Sequence, residues 1–131
     1  MVEKNPLVMG FDFGQTKIGV AIGQRMTATA TPLGIISARD GKPDWDQLDG
    51  LVSEWQPETL VVGLPLNMDD SMSEMGEAAA KFSRRLHGRY SIETYLMDER
   101  LSTFEARLES DNEKIDDVAA KIILESWLRD Q

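Results

Sequence analysis

The chain has 131 residues, 41% of them hydrophobic, with 23 acidic against 14 basic side chains and a formal net charge of −9. That length suits one compact domain over residues 1–131 with a proper core, while the absence of cysteine excludes disulfides and thiolate metal sites and the lone His87 argues against a histidine-rich zinc site. No apolar run approaches the roughly 20 residues of a membrane span, and "MVEKNP" lacks the apolar core of a signal peptide, so a cytoplasmic protein with no membrane partner is expected.

Residues 7–13 and 18–23 are apolar, glycine-punctuated and joined by the polar "GQTK", which predicts a hairpin. "TPLGIIS" extends the same antiparallel sheet. The period then changes: in "PDWDQLDGLVSEWQP", Asp44 caps a helix with Trp45, Leu48, Leu51, Val52 and Trp55 on its apolar face, and Pro57 stops it. "TLVVGLPL" has the continuous apolar pattern of a strand buried on both faces. "SEMGEAAAKFSRRLHG" predicts a helix with Gly88 at its C-cap. "SIETYLMDE" predicts a strand, and "STFEARLE" and "KIDDVAAKIILESWL" predict two helices.

Three strands followed by strands alternating with helices imply a mixed five-stranded sheet flanked by helices, antiparallel at first and parallel where right-handed crossovers begin. This is the ribonuclease H-like arrangement. Such sheets place ligands beyond the carboxyl ends of their parallel strands, and the acids of this sequence gather there. Asp12 comes late in the first strand, where a buried carboxylate costs several kcal/mol unless a cation or hydrogen-bond donors meet it. Its ordinary role would be to start the hairpin turn. Asp98, Glu99 and Arg100 stand where the last strand ends; the Ser102–Glu105 capping box explains "STFE" but not the acids before it. Stepping 100° per residue puts Asp116 in one arc with Ala119, Ala120, Ile123 and Trp127, inward, although an acid at a helix start also serves the helix dipole.

Inward acids without histidine or cysteine suit a hard cation. Magnesium or manganese takes oxygen ligands, and two such ions roughly 4 Å apart activate a water and stabilise the leaving oxygen of a phosphodiester. Lys17 or Arg100 can then reach the phosphate, although surface pairing is the commoner fate of either. Asn67, in "GLPLNMDD", is free to bond phosphate or sugar, or simply to shape the turn. The −9 charge argues against strong non-specific nucleic-acid binding. Yet Lys81, Arg84, Arg85 and Arg89 lie within residues 81–90 with no acid among them, leaving −13 on the rest of the chain. That run is a basic ridge or an ordinary solvated helix face.

Four blocks, "FDFGQTKIGVAIGQ", "VVGLPLNMD", "DERLSTFEA" and "KIDDVAAKIILESWL", resemble in order those of the YqgF family of pre-16S ribosomal RNA nucleases, also called Holliday-junction resolvase homologues. The resemblance spans nearly the whole chain. It implies a ribonuclease H-like fold and divalent-metal phosphodiester hydrolysis, with catalytic acids at Asp12, Glu99 and Asp116; Asp98 is a further metal-ligand candidate from position alone. Two departures stand out: Asp70 replaces the glycine usual after "NMD", and "RLESDNEK" is shorter than the family's loop before its last helix. The expected function is thus an endonuclease on structured RNA, the 5′ end of the ribosomal precursor, with branched DNA as a substrate variant. A catalytically weak module that contacts RNA or the ribosome and transcription machinery through the basic ridge at residues 81–89, with Arg84 and Arg85 in it, is the alternative. The third reading of "DFGQTKIGVA", an actin-like ATPase phosphate loop, needs two such domains and the chain has room for one. The sequence neither shows nor forbids a dimer.

Overall fold

The computed structural model describes residues 6–64, 73–98 and 117–131. The glycine-punctuated runs become β1 (Leu7–Asp12) and β2 (Lys17–Gln24), paired antiparallel so that Asp12 stands opposite Gly19. β3 (Thr29–Arg39) continues the meander, its register with β2 shifting between Val20 and Ala21, where Gly34 takes φ 131°. A bulge of this kind bends the strand and raises its twist. After the short β4 (Lys42–Pro43), the strands β5 (Thr59–Leu64) and β6 (Glu93–Asp98) are laid parallel to β1, in the order β4-β3-β2-β1-β5-β6.

The sheet therefore has six strands where the sequence pattern suggests five. The added strand is β4, two residues long, and its cause is the Asp40-Gly41 pair. These residues take φ 51° and 80°, the positive values that a tight two-residue hairpin needs at both central positions, and they set Arg39 opposite Lys42.

The first two helices start from side-chain caps. Asp44 accepts from the backbone N–H groups of Asp46 (3.1 Å) and Gln47 (3.3 Å) to open α1 (Trp45–Trp55), and Gln56 in the left-handed region closes it before Pro57. Ser73 accepts from Gly76 N–H (2.9 Å) to open α2 (Glu74–Tyr90). That helix does not end at Gly88 as its composition suggests. It runs on to Tyr90 because Arg89 and Tyr90 are anchored to Asp49 of α1: Arg89 Nε and Nη2 donate to the carboxylate at 2.8 and 2.7 Å, and the Tyr90 hydroxyl donates at 2.6 Å. The last helix is α3 (Asp117–Arg129). The helix expected over "STFEARLE" lies outside the described residues. No described helix is long and apolar enough to cross a membrane.

Strand alternation sorts the core into two layers. Met9, Phe11, Ile18, Val20, Leu60 and Val62 pack with Leu48 of α1 and with Phe82 and Leu86 of α2. Val8, Ala21, Val61 and Met97 face the other way, against Ala120, Ile123, Leu124 and Leu128 of α3. By the same alternation Asp12 belongs to the α3 layer, with Val8 and Gly10.

Candidate active site

Three parallel strands end at one edge of the sheet. Phe11 is in register with Val62, and Val62 with Leu96, so Asp12 at the end of β1 and Asp98 at the end of β6 stand at the same carboxyl edge. Asp12 is 1% exposed and Asp98 half-buried. Among the described residues no buried side-chain nitrogen or oxygen lacks a hydrogen-bond partner, so the cost of burying the Asp12 carboxylate is offset within the protein.

The layer above Asp12 is built for close approach. A Cβ placed on Gly10 would lie 2.8 Å from Leu124 Cβ, and one on Gly23 would lie 2.9 Å from Leu128 Cδ1. Gly23 is in register with Val8, at the opposite end of β1 from Asp12. α3 therefore runs antiparallel to β1. Four helix residues rise about 6 Å and two strand residues about 6.6 Å, so the step from Leu124 over Gly10 brings Ala120 level with Asp12. The first turn of α3 thus lies at the carboxyl edge, and Ala119, Ala120, Ile123 and Trp127 form its buried face as the 100° stepping predicts.

The other expected site residues divide clearly. Lys17, exposed at the start of β2, shares strand parity with Gly19 and so with Asp12. Asp98 is in register with Leu64, which packs in the α1 and α2 layer, so its parity is opposite to that of Asp12. Glu99, Arg100, Asn67 and Asp116 lie outside the described residues, and among those described no group of three His, Cys, Asp or Glu side chains is placed to hold a metal ion. On α2, Arg84 is exposed and Arg85 half-buried. Arg89 does not belong to a free ridge: its guanidinium also lies 4.6 Å from the Trp45 ring centroid, and the Arg89 and Tyr90 hydrogen bonds pull the Asp49 carboxyl down to about 2. Two side chains that the sequence reading passed over, Gln15 and Lys42, meet at the carboxyl edge of the sheet, on its α2 face, where Gly41 N–H of the β3–β4 turn donates to the Gln15 carbonyl at 2.9 Å. The signal for Lys42 was the Asp-Gly pair just before it.

Residues 6–130 match the RuvX family, described as Holliday junction resolvase. The chain belongs to that family. Its relatives include proteins named "Putative pre-16S rRNA nuclease" from Sodalis glossinidius, 52% identical over 92% of each chain, from Proteus mirabilis, 49% identical over 97% of this chain and 98% of the relative, and from Marinobacter nauticus, 47% identical over 97% and 95%. The Marinobacter alignment runs over 136 positions, more than the 131 residues of this chain, so that relative carries positions with no counterpart here. Among solved structures, Thermus thermophilus RuvC in complex with a Holliday junction substrate aligns at TM-score 0.56 with 12% identity, covering 96% of this chain and 95% of that one. The fowlpox virus Holliday junction resolvase aligns at 0.51 with 11% identity, covering 95% and 99%. These likenesses establish the ribonuclease H-like fold. RuvX membership makes the chain a nuclease, a hydrolase of phosphodiester bonds in nucleic acid, and nucleases of this kind depend in general on a divalent metal.

Proposed function

We propose that this protein is a divalent-metal-dependent endonuclease that processes the 5′ end of pre-16S rRNA during ribosome biogenesis, working in the cytoplasm as one ribonuclease H-like nuclease domain. The observation that carries the reading is a carboxylate 1% exposed, Asp12, held at the carboxyl edge of three parallel strands beneath the first turn of α3, in a chain about half identical to relatives named for that activity.

Asp12, Glu99 and Asp116 are the catalytic acids of this proposal. Glu99 is bonded to Asp98, the last residue of β6, and Asp116 to Asp117, the first of α3. Both elements reach the edge where Asp12 stands. The opposite parity of Asp98 favours Glu99 as the acid that joins Asp12 and leaves Asp98 beside the site. An oxygen-only donor set fits a hard dication; magnesium or manganese, as one ion or a pair, supplies there an activated water and charge stabilisation at the leaving oxygen. The chain's own part is positional. Asp12 sits on a rigid strand, which keeps its carboxylate in place without reorganisation, while Lys17 and Arg100 bring positive charge to the scissile phosphate and Asn67 bonds the phosphate or sugar.

The test is to incubate the protein and its Asp12→Asn variant with a 5′-extended 16S precursor, with and without magnesium or manganese, and to map the ends. Metal-dependent cuts lost in a folded variant are expected; undiminished cleavage by rigorously purified Asp12→Asn would sink the reading. Bound but uncut precursor would move the assignment to an RNA-binding module, and cuts confined to a four-way DNA junction would move it to a resolvase.

A further inference from the structure

Beside the carboxyl edge, a cleft of about 160 Å³ opens between the β3–β4 turn and α2. Its floor is aromatic and fixed: Phe13 and Phe82 lie 5.2 Å apart between ring centroids, and Phe82 meets Phe11 edge-on at 5.6 Å. One wall is the turn, fastened to the loop after Asp12 by Gly41 N–H to the Gln15 carbonyl and by Ala38 N–H to the Thr16 carbonyl, both 2.9 Å. The packing there is close, since a Cβ on Gly41 would lie 3.1 Å from Gln15 Oε1 and 3.2 Å from Phe13 Cζ.

Three cations line this rigid cleft: Lys42 from the hairpin, and Lys81 and Arg85 one turn apart on α2. Asp40 is the acid among them, and the Gln15 side chain adds a neutral hydrogen-bonding group. Among the described residues none of the three cations forms an ion pair, whereas Arg25 and Arg89 are both paired, to Glu58 and Asp49. An excess of two positive charges thus stands on a chain of net charge −9. The space is well below the roughly 300–1,000 Å³ of sites that enclose a small organic ligand, which points to a phosphate group rather than a whole nucleotide. Lys42 and Lys81 are exposed, as suits a chain of phosphates that passes across the surface. Phe13 in the floor is the residue bonded to Asp12.

We propose that this cleft binds the phosphodiester backbone of the nucleic-acid substrate and leads one strand to the Asp12 edge. The assignment rests on the nuclease reading above and adds to it Gln15, Lys42 and Lys81, with Arg85, as a subsite distinct from the acids.

The experiment measures binding of the 5′-extended 16S precursor in metal-free buffer, from 50 to 200 mM salt, for the wild type and for the Lys42→Gln/Lys81→Gln/Arg85→Gln triple variant. Circular dichroism confirms the fold. Each phosphate contact on a single strand contributes about 0.7 to the slope of log affinity on log salt, so the triple variant should be shallower by about two and bind at least tenfold more weakly at 100 mM. Its KM with metal should rise while kcat at saturating RNA stays within twofold. Arg85→Lys, which keeps the charge, should restore most of the slope in the background where only position 85 is changed, and Arg129→Gln, at the far end of α3, should leave it unaltered. Wild-type slope and affinity in the triple variant would overturn the subsite while wild-type cleavage still upheld the nuclease. A wild type that binds but never cuts, with the slope lost in the triple variant, would uphold the subsite and remove the nuclease. Capture of inorganic phosphate alone, with RNA affinity unchanged by the three substitutions, would overturn the proposal.

Discussion

The seam between α3 and β1 can be tested with one methyl group. Gly10→Ala places a Cβ 2.8 Å from Leu124 Cβ, where ordinary contact begins at 3.4 Å, so helix and strand must separate by about 0.6 Å or distort. Overpacking of this kind costs about 1–3 kcal/mol, offset by the 0.5–1 kcal/mol that alanine gains over glycine in a regular element. The net expectation is a loss of about 0–2.5 kcal/mol in urea unfolding, from the overpacking cost less the alanine gain, with an unchanged m-value. Displacement of α3 also moves its first turn relative to Asp12, and misplacement by about 1 Å can cost on the order of 100-fold in rate, so cleavage should fall further than the folded fraction. Leu124→Ala alone should cost about 2–5 kcal/mol through its cavity. Because the two substitutions share one contact, the double variant should be more stable than the sum of the singles. A Gly10→Ala protein with wild-type stability and rate, or strict additivity in the double variant, would refute the claim that this contact sets the helix height above the acid.

Two further predictions concern the other face. The hydrogen bonds from Arg89 and Tyr90 hold the Asp49 carboxyl at about 2, below the ordinary value near 3.9; a group depressed in the folded state stabilises above its unfolded value, so this contribution is present above about pH 4 and is lost as pH falls toward 2. NMR titration should find the Asp49 midpoint near 2 and return it toward 4 in Arg89→Ala, and a wild-type midpoint near 4 would contradict the assigned pairing. Phe82→Ala removes the ring that meets both Phe11 and Phe13 and should cost about 3–5 kcal/mol in urea unfolding; a loss under 1 kcal/mol would show that the cleft floor does not depend on it.

What the sequence discloses depends on how local the cause is. The first hairpin, the cap at Asp44 and the buried arc of α3 are set by neighbours within a few residues, and each is legible in the pattern. The end of α2 is not. Gly88 is a good local stop, but Arg89 and Tyr90 are held by a carboxylate about 40 residues away, and that tertiary contact overrides the local preference. The same contact explains why a run of four basic residues misleads as a uniform ridge: Arg89 is committed to Asp49, Arg84 points to solvent, and Lys81 and Arg85 turn toward the cleft. β4 carries a strong turn signal in Asp40-Gly41, but two paired residues are too few for strand periodicity to register. For the site, strand parity read from the sequence puts Asp12 with Val8 and Gly10, as the register of β1 and β2 bears out, whereas the layer of Asp98 is not legible in the sequence, because it follows from the register of β6 with β5.

An acidic nuclease faces a conflict, since its substrate is a polyanion, and the placement of charge resolves it. At 0.15 M ionic strength the Debye length is about 8 Å, so acids farther than that from a strand in the cleft are largely screened, while Lys42, Lys81 and Arg85, which line it, act at contact. The net charge of −9 then works as a filter: it suppresses non-specific association with any nucleic acid and leaves affinity to the cleft, where three cations stand together. Such an enzyme should bind weakly wherever the strand cannot reach both the cleft and the acids. Raising the charge elsewhere, by neutralising the exposed Glu54 on α1 and Asp130 just after α3, should therefore increase binding to arbitrary RNA more than binding to the precursor. An equal gain for both, measured as the ratio of the two affinities at one salt concentration, would show that the global charge and not the local cleft governs recognition.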